Sequence, residues 1–161
     1  MKTNNIMIKI AATVNDLGPS QKSFYLIKEF NRAGTTPAIS TSIFYNRAAI
    51  PVTRPSFSCS NMSFFSGYHG HAISTTLAEA EMLLKSSNNS TKYLYLWDID
   101  WLNNPVNYGA AINILCDSRL QLMARGDYHA TIIENFCNKK PIAIIDNWNL
   151  EQILGVIDGN K

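Results

Sequence analysis

The sequence predicts a doubly wound α/β domain with a mainly parallel sheet, and three observations carry that prediction. Segments with strand character alternate with segments of helical periodicity along almost the whole chain, the pattern of a parallel sheet covered on both faces. Two stretches, Ile6–Val14 and Lys92–Ile99, are nearly continuous apolar runs, as expected of central strands buried on two sides. The length, 161 residues, suits one domain with a sizeable core, so residues 1–161 read as a single unit.

The elements follow in order. Ile6–Val14 is the first strand, broken by Asn15-Asp16-Leu17-Gly18. Pro19 and Ser20 suit a helix start, and the apolar positions Phe24, Leu26, Ile27 and Phe30 carry a helix from Ser20 to Arg32 that Gly34 closes. Ala38–Tyr45 is β-branched and aromatic, a strand. Asn46–Ser63 reads as a long loop with room for one short strand, and residues 64–70 as a turn-rich link. A helix from Thr76 to Lys85 precedes the strand Lys92–Ile99. Then come a helix over Tyr108–Cys116, a strand over Leu120–Ala124, a helix over Asp127–Phe136, a strand over Pro141–Ile145 and a closing helix over Asn149–Ile157.

Composition narrows the function classes. With 46% hydrophobic and 16% charged residues the chain is neither disordered, collagen-like nor a coiled coil. Its apolar runs fall far short of a membrane span, and its first residues alternate as a strand does, so a soluble cytoplasmic protein with no membrane partner is expected. Cys59, Cys116 and Cys137 are odd in number and widely spaced, which fits a reducing compartment and neither a disulfide framework nor a zinc site. The net charge of +2 is too small to announce a nucleic-acid binder, but its distribution is uneven. Residues 1–60 hold seven Lys or Arg against two acids, a balance of +5, and the remainder seven against ten, a balance of −3.

In an open parallel sheet, function sits beyond the carboxyl ends of the strands, near the point where strand order reverses. The loops to read are therefore Asn15–Ser20, Ser66–His71, Asp98–Pro105 and Arg125–His129. The first carries no dinucleotide fingerprint, and no Walker lysine pattern appears anywhere. Asn15, Asp16, Gly18 and Ser20 can place a phosphate or sugar hydroxyl at the start of the following helix, or simply form an ordinary strand-to-helix turn. Asp98 and Asp100 follow a buried strand. A carboxylate there can act as general base toward an incoming hydroxyl, hold Mg²⁺ together with a phosphate, or cap the next turn. Trp97 and Trp101 flank the pair as stacking surfaces for a sugar or a base. Arg125, directly after a strand, suits an anion or an acid partner. His69, His71 and His129 do not assemble into a metal site.

The segments Pro19–Lys28 closing at Gly34, Phe64-Phe65-Ser66-Gly67, the strand Lys92–Asp98, Leu122–Gly126 and Trp148–Gln152 resemble phage DNA β-glucosyltransferases, in the same order and at comparable spacing. More broadly, the chain is similar to the N-terminal half of a GT-B glycosyltransferase. The resemblance implies a Rossmann-like domain that holds the acceptor and supplies the catalytic base, facing a second such domain that binds the nucleotide-sugar. The family's base falls on Asp98 by motif, or on Asp100 if the loop is shifted. Asn15, Asp16, Gly18, Ser20, Trp101 and Arg125 are the acceptor- and phosphate-binding candidates beside it. A family acid at the start of the first helix falls on Lys22, so that role does not transfer. The chain stops where the family crosses into its second domain. The expectation is then an acceptor-binding half of a split enzyme that binds no cofactor tightly. A UDP-sugar donor would be met through a partner chain or through self-association, and modified DNA is among the acceptors implied. A non-catalytic binding module on the same fold is the competing expectation.

Overall fold

A computed structural model describes residues 7–159, with the side chain of Asp100 excepted. Seven parallel strands form one sheet in the order β3-β2-β1-β4-β5-β6-β7. The strands are β1 (Ile8–Val14), β2 (Ile39–Tyr45), β3 (Ser58–Asn61), β4 (His71–Ser74), β5 (Thr91–Leu96), β6 (Leu120–Ala124) and β7 (Ala143–Ile144). The helices are α1 (Gln21–Ala33), α2 (Leu77–Lys85), α3 (Tyr108–Cys116), α4 (Asp127–Cys137) and α5 (Leu150–Gly159), with short 3₁₀ turns at Met62–Gly67, Asp100–Asn103 and Pro105–Asn107. The chain builds β1-β2-β3 outward, then returns past β1 to lay down β4 and the rest on its other side. The doubly wound, Rossmann-like expectation is met, and the strand order reverses between β1 and β4.

The alternation of side chains along each strand divides the core in two. Ile10, Ala12 and Val14 of β1 and Tyr93 and Tyr95 of β5 share one cluster with Leu26, Ile27 and Phe30 of α1 and Leu150, Ile153 and Ile157 of α5. Leu94 and Leu96 of β5 and Leu120, Leu122 and Ala124 of β6 face the other way, into a cluster with Ala80 of α2, Leu115 of α3 and Ile133 of α4. The sheet therefore carries α1 and α5 on one face and α2, α3 and α4 on the other.

Local chemistry explains the helix ends. Ser20 caps α1, accepting from the Ser23 N–H at 3.0 Å, as Ser does where the first turn lacks partners. Thr76 caps α2 by accepting from the Glu79 N–H at 3.3 Å. The buried Glu79 carboxylate reaches back to the Thr75 hydroxyl at 2.7 Å and the Thr75 N–H at 3.2 Å, a variant of the capping box moved one residue upstream. Glu29, buried in α1, pairs with Arg32 at 2.9 Å and accepts from the Leu150 N–H at 3.4 Å, tying α1 to the start of α5.

Three expectations change, the first being that the strand expected over Lys92–Ile99 spans Thr91–Leu96. Phe24 is exposed rather than part of the α1 core stripe, because Ser23 and Leu26 take the inward positions around it. The link before α2 contains a strand, β4, so Ser66–His71 lies at the amino end of the sheet, and the functional loop of that strand is Thr75-Thr76. Ile6, the expected start of β1, lies outside the described residues. Among the described residues, 7–61 form the β3-β2-β1 side of the sheet with α1, so Lys9, Lys22, Lys28, Arg32, Arg47 and Arg54 belong to that side of the β1–β4 junction, with Asp16 and Glu29 as its acids.

Candidate functional site

The carboxyl ends of β1, β4, β5, β6 and β7 bring together two groups of side chains, on opposite faces of the sheet. The division follows from β5. Tyr93, Tyr95 and Trp97 point toward α1 and α5, and Leu94 and Leu96 point toward α2. Asp98, next in alternation after Leu96, continues on the α2 side and lines a cavity of about 280 Å³ with Thr75, Thr76, Leu77, Leu96 and Trp101. This cavity sits over the carboxyl ends of β4 and β5, beside the strand-order reversal.

Trp97 and Trp101 consequently do not form one platform. Trp97 is 6% exposed and packs into the α1/α5 core, with its ring 6.1 Å from Tyr25 and 6.0 Å from Tyr95. Trp101 is half-buried on the other face, held edge-to-face against Phe136 at 4.9 Å. Only Trp101 contributes to the cavity that Asp98 lines. Asp100 begins the short 3₁₀ turn after β5, and its side chain lies outside the described set.

Arg125 belongs to the α1/α5 side. Its guanidinium carbon lies 3.9 Å from the centre of the Trp97 ring, and one terminal nitrogen donates to Asn147 Oδ1 at 3.1 Å and to Gln21 Oε1 at 3.3 Å. Both acceptors are neutral amides, and among the described residues no carboxylate lies within ion-pair range of this arginine. Asn147 and the following Trp148 both have positive φ, 44° and 63°, a left-handed pair that non-glycine residues seldom adopt. That turn aims the Asn147 amide at Arg125 while Trp148 fills the core, its ring edge-on to Tyr95 at 5.0 Å. The Tyr95 hydroxyl donates to the Ile145 carbonyl at 2.6 Å, and its burial pushes its pKa upward.

The first loop is closed on itself. Asp16 accepts from the Gly18 N–H at 2.9 Å and from Asn15 Nδ2 at 3.0 Å, and pairs with Arg47 at 2.8 Å. The Arg47 guanidinium and the Gly18 N–H hold its carboxyl below the ordinary value of 3.8. The Asn15 carbonyl accepts from the Arg47 N–H at 2.8 Å. Asn15, Asp16 and Gly18 thus join the loop after β1 to the loop after β2, and Ser20 is occupied as the α1 cap. None of the four lines the cavity that holds Asp98.

Thr75, Thr76, Gln21 and Asn147 are not among the site candidates that the sequence marks. The Thr76-Leu77-Ala78-Glu79 pattern is a legible helix start that would have placed the threonines at a strand's carboxyl end. Gln21 and Asn147 meet Arg125 from 104 and 22 residues away, and no local pattern marks such contacts. Among the described residues no group of three or more His, Cys, Asp or Glu could hold a metal ion, and no helix is long and apolar enough to cross a membrane. No family model, curated protein or solved structure matches this chain.

Proposed function

We propose that this chain is the acceptor-side domain of a GT-B-type glycosyltransferase, with Asp98 as the general base. The observation that carries the reading is the placement of Asp98: a carboxylate at the carboxyl end of a central strand, lining a cavity with two threonines and a half-buried tryptophan. In the reaction, an acceptor hydroxyl enters the cavity and Asp98 takes its proton. The hydroxyl oxygen bonds to the anomeric carbon from the face opposite the leaving group. The bond from that carbon to the donor's nucleoside diphosphate breaks, and its electron pair leaves with the diphosphate, inverting the sugar carbon. The donor, a UDP-sugar, is held by a second Rossmann-like domain supplied by a partner chain, and transfer takes place in the cytoplasm. Arg125 lies on the far face of the sheet from Asp98, a position that suits contact with that partner's bound diphosphate rather than with the acceptor.

A non-catalytic binding module on the same fold is the second reading. It is favoured by the first loop, where Asp16 and Asn15 are spent on Arg47 and on each other instead of facing the cavity. The test is transfer of radiolabelled sugar from UDP-glucose by the chain together with the partner domain that copurifies with it, for the parent and for Asp98→Asn and Asp100→Asn. Base catalysis is worth about 10²- to 10⁴-fold, so the correct variant should lose turnover on that scale with little change in thermal stability. Full turnover in both variants would hand the assignment to the binding module.

A further inference from the structure

We infer that the acceptor taken by the Asp98 cavity is a neutral, polyhydroxylated molecule, a short glycan or sugar, and not the phosphodiester chain of a nucleic acid. The inference rests on reading that cavity as the acceptor site. It uses a second cavity of about 620 Å³ that runs between α2 and α3. The two cavities share Leu77 and Trp101, so they form one cleft with two lobes, joined along the tryptophan. Their volumes are of the order found for small-molecule sites, about 300–1,000 Å³.

The lining of the larger lobe is polar on one wall and apolar on the other. Asn104, Asn107 and Glu81 provide the polar groups, and Leu77, Ala111 and Ile114 the apolar ones. Asn104 and Asn107 sit at the starts of the 3₁₀ turn and of α3, yet neither side chain makes a capping bond to the turn it precedes. Asparagine at such a position ordinarily serves as a cap, so these two amides are not spent on holding the backbone. Each offers a donor pair and an acceptor, the complement of vicinal hydroxyls. Trp101, fixed from behind by Phe136, adds a rigid aromatic surface of the kind that takes the C–H face of a sugar ring.

Charge separates this ligand from the alternative. Among the described residues lining either lobe there is no lysine or arginine, and the ionisable groups are Asp98 and Glu81. Glu81 is paired with Lys85 at 2.7 Å, and both are exposed. Nucleic-acid affinity comes largely from cations that neutralise phosphates, and this cleft would instead set a carboxylate against them. Among the described residues the basic excess lies in the β3-β2-β1 half with α1, whereas the cleft lies over β4 and β5. The reacting hydroxyl then sits at Asp98, with the remainder of the acceptor lying over Trp101 toward Asn104 and Asn107.

The test is binding by the full chain of three neutral trisaccharides (maltotriose, cellotriose and chitotriose) and of a 20-base-pair duplex, followed by saturation-transfer NMR and tryptophan fluorescence at 50 and 200 mM salt. At least one trisaccharide should bind with an affinity that changes less than twofold between the two salt concentrations. Asn107→Ala should weaken it about tenfold, and Asn104→Ala similarly, without moving the unfolding midpoint, since neither side chain caps a helix. Trp101→Phe, which keeps an aromatic ring, should bind measurably but more weakly. No trisaccharide binding, or duplex binding that falls steeply with salt and is lost in Asn107→Ala, overturns the inference. Loss of transfer in Asp98→Asn with DNA as the acceptor would overturn it while leaving the glycosyltransferase reading intact. Trisaccharide binding with full turnover in Asp98→Asn would do the reverse.

Discussion

The guanidinium of Arg125 lies flat enough on the indole of Trp97 to bring its carbon within 3.9 Å of the ring centre, and this one contact joins the carboxyl ends of β5 and β6. Neither partner is redundant. Trp97 packs on Tyr25 and Tyr95 from the core side and carries Arg125 on its other side, while Asn147 and Gln21 both accept from one terminal nitrogen of the guanidinium. Lysine cannot substitute for that geometry, since its ammonium is a point charge without a stacking plane.

Arg125→Lys should therefore cost about 0.5–2 kcal/mol, measured by urea unfolding. Arg125→Ala should also shift tryptophan emission to longer wavelength as Trp97 meets water. Unchanged emission in the alanine variant would mean that Trp97 is covered by something other than the guanidinium.

Glu79 provides a second test. Its buried carboxylate accepts from both the backbone and the hydroxyl of Thr75, at the carboxyl end of β4. Glu79→Ala leaves these donors unpaired in the core and should destabilise by about 1–3 kcal/mol. Glu79→Gln keeps an acceptor oxygen and should retain most of the stability. Equal losses in both variants would assign the role to charge rather than to hydrogen bonding.

Gly70, just before β4, has φ of 152°, and an added Cβ would lie 2.7 Å from the Lys9 carbonyl oxygen and from the Tyr68 hydroxyl. The backbone there presses against β1. Gly70→Ala should cost at least about 1–3 kcal/mol from the conformation alone, with the steric clash in addition. A circular-dichroism melt within a degree of the parent would contradict this close approach.

The Asp16–Arg47 pair sets an acid dependence. The folded carboxyl titrates below its ordinary 3.8, so its contribution is fully present above that value and is lost as pH falls through the lowered one. Asp117, held by Arg119 at 2.7 Å, behaves the same way with a pKa of about 2. Stability should fall as pH drops from 3.8 toward 2. Arg47→Ala should raise the Asp16 carboxyl pKa, as read by carboxyl-carbon NMR titration. Both pairs are exposed, so added salt should reduce the effect.

Much of the architecture was legible because periodicity and caps agreed. The helix over Tyr108–Cys116 and the strand over Leu120–Ala124 have the bounds their sequence implies, and Ser20 and Thr76 stand where capping residues should. β4 was not legible. Its four residues, His-Ala-Ile-Ser, are too few to show alternation, and it is made a strand by β1 and β5 on either side. The position of Asp98 at a strand's end could be read from sequence. The separation of Trp97 from Trp101 was implicit in the two-residue period of β5, but it emerges only when Leu94 and Leu96 are known to face α2. Asn147 and Gln21 depend on long-range approach, and the left-handed pair at Asn147-Trp148 has no local signature beyond the asparagine itself.

The order of the strands also bears on how the molecule is made. β1 leaves the ribosome before the other six strands of the sheet, yet it ends in the middle of it, with β2 on one side and β4 on the other. Once residue 61 has emerged from the ribosome, β3, β2 and β1 can pair, but the far edge of β1 still faces solvent with Ala11, Ala12 and Thr13 along it. That edge is covered only when residues 71–74 emerge, and at about 5–20 residues per second the interval is of the order of a second. During it the nascent chain displays an unpaired, largely apolar strand, the kind of template that recruits other strands. A nascent chain with residues up to 61 emerged should therefore be the form of this protein most dependent on chaperones, and emergence of residue 74 should mark the point at which that dependence ends.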